Sequence, residues 1–222
     1  MAAHPDDEVL GCGATTALHA KRGDEVRHLI LGEGITSRLD RREAADPGDL
    51  ERLRESARRA ARAVRARGVE FSDLPDNRFD EIPLLEIVKR IERAVASFRP
   101  DTIYTHHEGD LNIDHEITCR AVLTAARPLP DSTVRRLYSF EIPSATEWRG
   151  PGGGSVFTPR RYVDVASTYS RKETALKAYS GEMRPFPHPR SLEGVRRMAS
   201  KRGTEASLDM AEAFDVLREI DA

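Results

Sequence analysis

The run Ala3-His4-Pro5-Asp6-Asp7-Glu8 constrains this chain more than any other stretch, because it sets an imidazole and three carboxylates around a proline almost at the N-terminus. Pro5 fixes its own φ and removes a backbone donor, so a strand ending near Ala3 must turn there and cannot continue its ladder. The stretch from Val9 to Arg22 then reads as a helix, closed by Gly23 and carrying Lys21 and Arg22 in its last turn. Strand, tight turn and helix in that order open an α/β sheet, whose ligands collect outside the carboxyl ends of the strands. His4, Asp6 and Asp7 fan out at that edge, and the positive end of the helix faces them.

A second cluster, Asn112-Ile113-Asp114-His115, lies far along the chain. Thr102 to Thr105 reads as a short strand that delivers the loop from His106 to His115 to the same sheet edge as His4. His4, Asp7 and His115 then supply two imidazoles and one carboxylate, the set that leaves a catalytic zinc one open position for water. Asp6 is the spare carboxylate, available as a base. Asp and Asn are also common turn formers, so the hexapeptide by itself fits a solvated loop with a helix cap, and it is the second cluster that argues against this. Gly11-Cys12-Gly13 resembles part of a dinucleotide-binding turn, but Thr16 stands where the third glycine belongs. Two acidic residues before the helix would also repel a pyrophosphate.

Strands and helices alternate along the rest of the chain as a mostly parallel sheet requires. Val26 to Leu31, Leu137 to Glu141 and Tyr162 to Val165 read as strands. Asp49 to Arg67 reads as a helix, as does Pro83 to Phe98, which puts Leu84, Val88, Ile91, Val95 and Phe98 on one face. Ser167 to Tyr179, Ser191 to Lys201 and Leu208 to Glu219 are expected as C-terminal helices. The Gly- and Pro-rich loop Thr146 to Pro159 is either a lid over the site or a long surface connection.

With 222 residues, 39% of them apolar, and no apolar run near the roughly 18 that span a bilayer, the expectation is one soluble domain over residues 1–222. A net charge of -2 argues against nucleic acid as a partner. The Arg-rich run from Arg52 to Arg67 does not reverse this. Leu50, Leu53, Ala57, Ala60, Ala61 and Val64 recur at helical spacing, which leaves Arg58, Arg59, Arg62 and Arg65 on a solvated outer face. The two cysteines, Cys12 and Cys119, each fall inside an expected helix and read as buried small hydrophobes in a reducing, cytoplasmic compartment.

The words Ala3-His4-Pro5-Asp6-Asp7-Glu8 with Gly11 and Gly13-Ala14-Thr15, and Thr105-His106-His107-Glu108-Gly109-Asp110-Leu111-Asn112-Ile113-Asp114-His115, resemble the LmbE-like, or PIG-L, family of zinc-dependent de-N-acetylases. Pro187-His188-Pro189-Arg190-Ser191 and Arg202-Gly203 are less specific matches. The resemblance implies a Rossmann-like three-layer α/β fold, one zinc per chain on His4, Asp7 and His115, and Asp6 as general base. It also implies an N-acetylated sugar, such as N-acetylglucosamine, or a sugar conjugate as substrate. Family members often carry a histidine three positions before the last ligand, where this chain has Asn112. An amide donates a hydrogen bond to an oxyanion but transfers no proton at neutral pH, so the acid role passes to His188, with His106 and His107 as the other candidates. Glu8 and Asp114 are expected to support the site from behind the ligands. Asp114 either orients a histidine or caps the helix that begins there. Arg54, Arg78, His107 and Trp148 are the expected substrate contacts.

Two other readings stay open on sequence: an amidase of a non-acetyl amide, such as a thiol conjugate, and a non-enzymatic Rossmann-like binding module with a degenerate metal site. Self-association also stays open. Only Met1-Ala2-Ala3 precede His4, short of the usual 5 to 6 residues of a strand. The first strand is therefore expected to be a truncated stub, incompletely paired between the strands ending near Leu31 and Thr105. This points to a start assigned late or a trimmed chain.

Overall fold

The structure is a computed structural model that describes residues 1–36, 46–150 and 154–221. Its elements run α1 (Asp7–Arg22), β1 (Arg27–Gly32), α2 (Pro47–Val64), β2 (Gly68–Leu74), α3 (Leu84–Phe98), β3 (Thr102–His106), α4 (Ile113–Ala125), β4 (Arg136–Phe140), β5 (Arg161–Asp164), α5 (Tyr169–Ala178), α6 (Leu192–Thr204) and β6 (Ala211–Glu219). Gly23 closes α1 in the left-handed region at φ 97°, and its N–H returns to the last turn. That is the role a glycine serves at little steric cost.

Parallel pairing joins β1 to β2 and β3 to β4, while β6 runs antiparallel to both β4 and β5. Residues 1–3 lie between the two groups. Ala2 N–H donates to Leu29 O at 2.9 Å, Leu31 N–H to Ala2 O at 3.0 Å, and the Met1 amino group to Tyr104 O at 2.8 Å. Ala2 pairs with Ile30 as an isolated parallel bridge, so the stub is shorter than a strand and sits at the centre of the sheet.

Period-two alternation separates two cores, one on each face of the sheet. Leu29, Leu31, Ile103 and Leu137 face α3 and α4, packing with Ile87, Val88, Ile91, Ala121 and Val122. Ile30, Tyr138, Phe140 and Phe214 face the other way, against Val9, Leu10, Leu53, Ala57, Leu176 and Val195 of α1, α2, α5 and α6. The three layers follow from this split.

Two local expectations change. Leu208 to Glu219 is read as a helix because Ala-Glu-Ala-Phe-Asp-Val-Leu-Arg-Glu is rich in helix formers, yet Ala211–Glu219 forms β6. Pairing on both sides and burial of Ala211, Ala213 and Phe214 outweigh local propensity. β2 adds a strand at the edge of the sheet that no strong apolar alternation announces, since only Leu74 of its residues is buried. In the loop Thr146 to Pro159, Glu147–Arg149 make a short 3-10 turn, and residues 151–153 lie outside the described residues.

Candidate metal centre

The turn that carries His4, Asp6 and Asp7 holds a strained residue. Asp6 has φ 104° and ψ −30°, a region that costs a non-glycine residue about 1–3 kcal/mol and that persists only when its surroundings impose it. Several bonds impose it. Asp6 O accepts from Val9 N–H at 3.0 Å and Leu10 N–H at 2.8 Å, opening α1. Asp6 N–H donates to Glu8 Oε2 at 3.1 Å, and Glu8 Oε1 accepts from Tyr179 Oη at 2.6 Å. His4 N–H donates to Asp7 Oδ2 at 2.9 Å, closing the turn on itself. Gly34, at φ 87°, lies under Pro5, whose Cδ would be 2.6 Å from a Cβ placed there, so this neighbour must be a glycine.

His4, Asp7 and His115 are all buried and offer ligand atoms within 4.8 Å of one another. His115 Nε2 lies 3.2 Å and His4 Nδ1 3.4 Å from Asp7 Oδ2. The opposite ring nitrogens are held by carboxylates: His4 Nε2 by Asp114 Oδ2 at 2.9 Å and Asp76 Oδ1 at 3.1 Å, His115 Nδ1 by Asp110 Oδ1 at 3.1 Å. Those carboxylates are held in turn. Asp114 accepts from Asn77 N–H at 2.7 Å and Phe79 N–H at 2.9 Å, and Asp110 from Thr146 Oγ1 at 2.6 Å and Asn112 N–H at 3.0 Å. A carboxylate behind each imidazole is the usual support of a metal-ligating histidine.

His4, Asp76 and Asp114 form a second group at similar distances. With both Asp114 oxygens on backbone amides, this group reads as the support and the first as the centre. Asp7 Oδ1 and both ring nitrogens of His115 are buried without a well-aligned hydrogen bond among the described residues, and Asp110 Oδ1, 3.1 Å from His115 Nδ1, faces that nitrogen as an ion-pair partner. A divalent cation between His4, Asp7 and His115 would satisfy His115 Nε2 and draw on the Asp7 carboxylate. The electrostatics agree: although burial disfavours charge, the surrounding carboxylates hold His4 up at about 10 and His115 at about 9, so the site draws positive charge.

Asp6 lies beside this cluster. Arg190 Nη1 is 3.1 Å from Asp6 Oδ2, and Arg190 Nη2 is 3.9 Å from Asp7 Oδ1. Burial pushes the Asp6 carboxyl up to about 8 against the pull of Arg190. Arg190 N–H also donates to His188 Nδ1 at 3.0 Å, which makes Nδ1 an acceptor and Nε2 the ring's donor. The His188 ring meets Trp148 edge-on at 5.6 Å, and Trp148 is 51% exposed. His188, Trp148 and Arg190 therefore share one wall with Asp6.

The remaining expected residues divide. Asn112 caps α4, its side-chain oxygen accepting from Asp114 N–H at 2.9 Å, so only its NH2 remains as a donor. The helix cap thus falls to Asn112, and Asp114 is left to orient His4. His106 is buried, accepts from Ala3 N–H at 2.8 Å and stacks on His115 at 3.9 Å, and burial drives its pKa well below the ordinary value. His107 has no exposed surface for a substrate: it is 1% exposed, and its Nε2 meets Ser155 O at 2.9 Å. Arg54 is engaged by Asp73 at 2.6 Å over the Phe71 ring, and the exposed Arg78 pairs with Glu81 at 3.5 Å. Neither shows a contact to the cluster. Sequence reasoning missed Asp76, Asp110 and Arg190 as parts of the site. The spacing of Asp110, five residues before His115, was the available signal.

Residues 1–126 match the family described as PIG-L: GlcNAc-PI de-N-acetylase, more than half of the chain. The chain belongs to the PIG-L family. It is accordingly an amide hydrolase of the de-N-acetylase type. A relative from Escherichia coli (strain K12), named "uncharacterized deacetylase YaiS", is 25% identical over 185 residues, 81% of this chain and 88% of that protein. N,N'-diacetylchitobiose deacetylase from Pyrococcus horikoshii superposes with a TM-score of 0.77 at 17% identity, covering 98% of this chain and 82% of that one. GalB, the 4-carboxy-2-hydroxymuconate hydratase of Pseudomonas putida KT2440, gives 0.76 at 21% identity over 100% of this chain and 95% of that one. At such identities the likeness shows the fold alone. A fold that includes a protein named as a hydratase requires the reaction to be argued from the site. No helix among the described residues is long and apolar enough to cross a membrane.

Proposed function

We propose that this PIG-L member is a zinc-dependent hydrolase that removes the acetyl group from an N-acetylated sugar or sugar conjugate. The observation that carries the reading is a carboxylate set against the far nitrogen of each imidazole, Asp114 at 2.9 Å from His4 and Asp110 at 3.1 Å from His115, with the near nitrogens of both rings turned to Asp7. His4, Asp7 and His115 would hold the ion. Zinc on two imidazoles and a carboxylate supplies Lewis acidity, which makes a water molecule acidic near neutral pH.

The chain's own residues do the rest. Asp6 takes the proton from the attacking water; Arg190 holds its Oδ2 and so fixes which way the carboxylate points. The NH2 of Asn112 donates to the developing oxyanion, a contribution of about 3 kcal/mol when such a donor is deleted. Asp6, once protonated, passes that proton to the leaving nitrogen, and His188, whose Nδ1 accepts from Arg190 N–H, presents its Nε2–H as a hydrogen-bond donor on the same wall. Trp148 offers a half-exposed ring at the same wall, suited to the face of a sugar.

The test is a panel of N-acetylated sugars and sugar conjugates incubated with zinc-loaded protein and scored by released acetate. Acetate from at least one member is expected. Release of a non-acetyl acid from a thiol conjugate alone would favour the other amidase reading, and absence of zinc uptake would favour the binding module.

A further inference from the structure

We propose that the buried pair Lys172–Glu212 is a positioning device, inserted into a break in α1, that sets the angle of the turn carrying Asp6 and Asp7. The proposal rests on the reading of Asp6 as base and Asp7 as ligand. The break lies at Cys12, whose φ −147° and ψ 23° are not helical. In an unbroken helix Ala14 N–H would bond Leu10 O, the group four residues back. Here the two halves of that bond are taken by the pair. Ala14 N–H donates to Glu212 Oε1 at 3.1 Å, Lys172 Nζ donates to Leu10 O at 2.7 Å, and Lys172 Nζ and Glu212 Oε1 meet at 2.6 Å. Thr15 N–H donates to Glu212 Oε2 at 2.6 Å, which completes a carboxylate cap on the second half of the helix.

At the break Leu10 O, Ala14 N–H and Thr15 N–H are thus satisfied from outside the helix. Lys172 comes from α5 and Glu212 from β6, both far along the chain, and the two side chains are 2% and 4% exposed. The first half, residues 7–11, is then free to take a direction set by its surroundings. On one side Gly11 abuts the Phe140 ring so closely that a Cβ there would overlap it. On the other, Asp6 O receives the first amides of the helix. A pair needed only for core stability would have no reason to sit on the two ends of one opened helical bond.

Removing one member strands a buried charge, so the informative variant removes both: Lys172→Met/Glu212→Gln, matched in length and uncharged. The control is Arg202→Met/Glu141→Gln, a second partly buried pair whose side-chain hydrogen bonds run to each other and to Glu205, with none to the backbone of α1. Each protein is titrated with Co2+ and its visible absorption recorded, and kcat and KM for acetate release are measured on the zinc-loaded forms. The expected result for the Lys172/Glu212 variant is an altered Co2+ band and a kcat at least tenfold lower with KM within about twofold, since a misplacement near 1 Å costs on the order of 100-fold in rate. The control should match the wild type in both. A Lys172/Glu212 variant that folds with the wild-type Co2+ band and kcat would overturn the proposal. Should the double variant not fold, Glu212→Gln alone is held to the same two outcomes. A wild-type protein that takes up no Co2+ and releases no acetate would instead refute the function reading.

Discussion

Arg190 Nη1 lies 3.1 Å from Asp6 Oδ2 while Nη2 of the same guanidinium lies 3.9 Å from Asp7 Oδ1, so one cation ties the proposed base to the proposed ligand. Its Nε donates to Pro143 O at 3.3 Å, which fixes the fork from behind. Replacing it by alanine leaves Asp6 free to swing while the metal ligands stay. For Arg190→Ala the expected outcome is a kcat lowered about 100-fold with zinc content unchanged, measured by acetate release and metal analysis. Loss of zinc with kcat per bound metal preserved would make Arg190 a structural partner of Asp7 instead.

In the proposed centre Asp110 would bear on the ion through His115. With Asp110→Ala, His115 Nδ1 loses the carboxylate at 3.1 Å and the ring loses both orientation and basicity. Zinc affinity should fall about 10- to 100-fold in chelator competition. Wild-type affinity would show that Asp110 serves only Thr146 and Asn112.

The supports of the site were less legible in the sequence than its centre, and for a physical reason. The proposed ligands and base sit in two dense words because strand ends deliver consecutive residues to one edge. Asp76 and Arg190 reach the same point from separate loops, through a turn anchored on Asp114 and a wall built on Pro143, and no spacing encodes those approaches. The three layers were legible because alternation such as Leu29, Ile30, Leu31 fixes which face each residue takes. β6 was not, since its residues favour a helix in isolation and only its two partner strands overrule that.

His28 gives the fold a pH dependence separate from the site. It is buried in β1 with neither ring nitrogen partnered among the described residues, and burial drives its pKa down to about 3. The folded chain keeps it neutral while the unfolded chain protonates it below about 6.5, so this contribution to stability is present above that value and is lost as pH falls toward 3. Between about pH 7 and pH 5 the loss is about 2 kcal/mol. Denaturant unfolding of wild type and His28→Leu at the two pH values checks this: the wild type should lose that much more than the variant. Equal losses would mean that His28 finds a partner in solution.

Asp6→Asn separates base from ligand. The amide keeps the shape and leaves His4, Asp7 and His115 in place but accepts no proton, so activity should fall by about two to four orders of magnitude while zinc stays bound. Near-normal turnover would reduce Asp6 to a partner of Arg190.

Zinc stoichiometry of His115→Ala tests the centre most directly. His115 supplies the orphaned Nε2 and stacks on His106, and its removal leaves one imidazole and one carboxylate, too few for a stable site. The account predicts one zinc per chain in the wild type and none in purified, folded His115→Ala. Full zinc in that variant would contradict it.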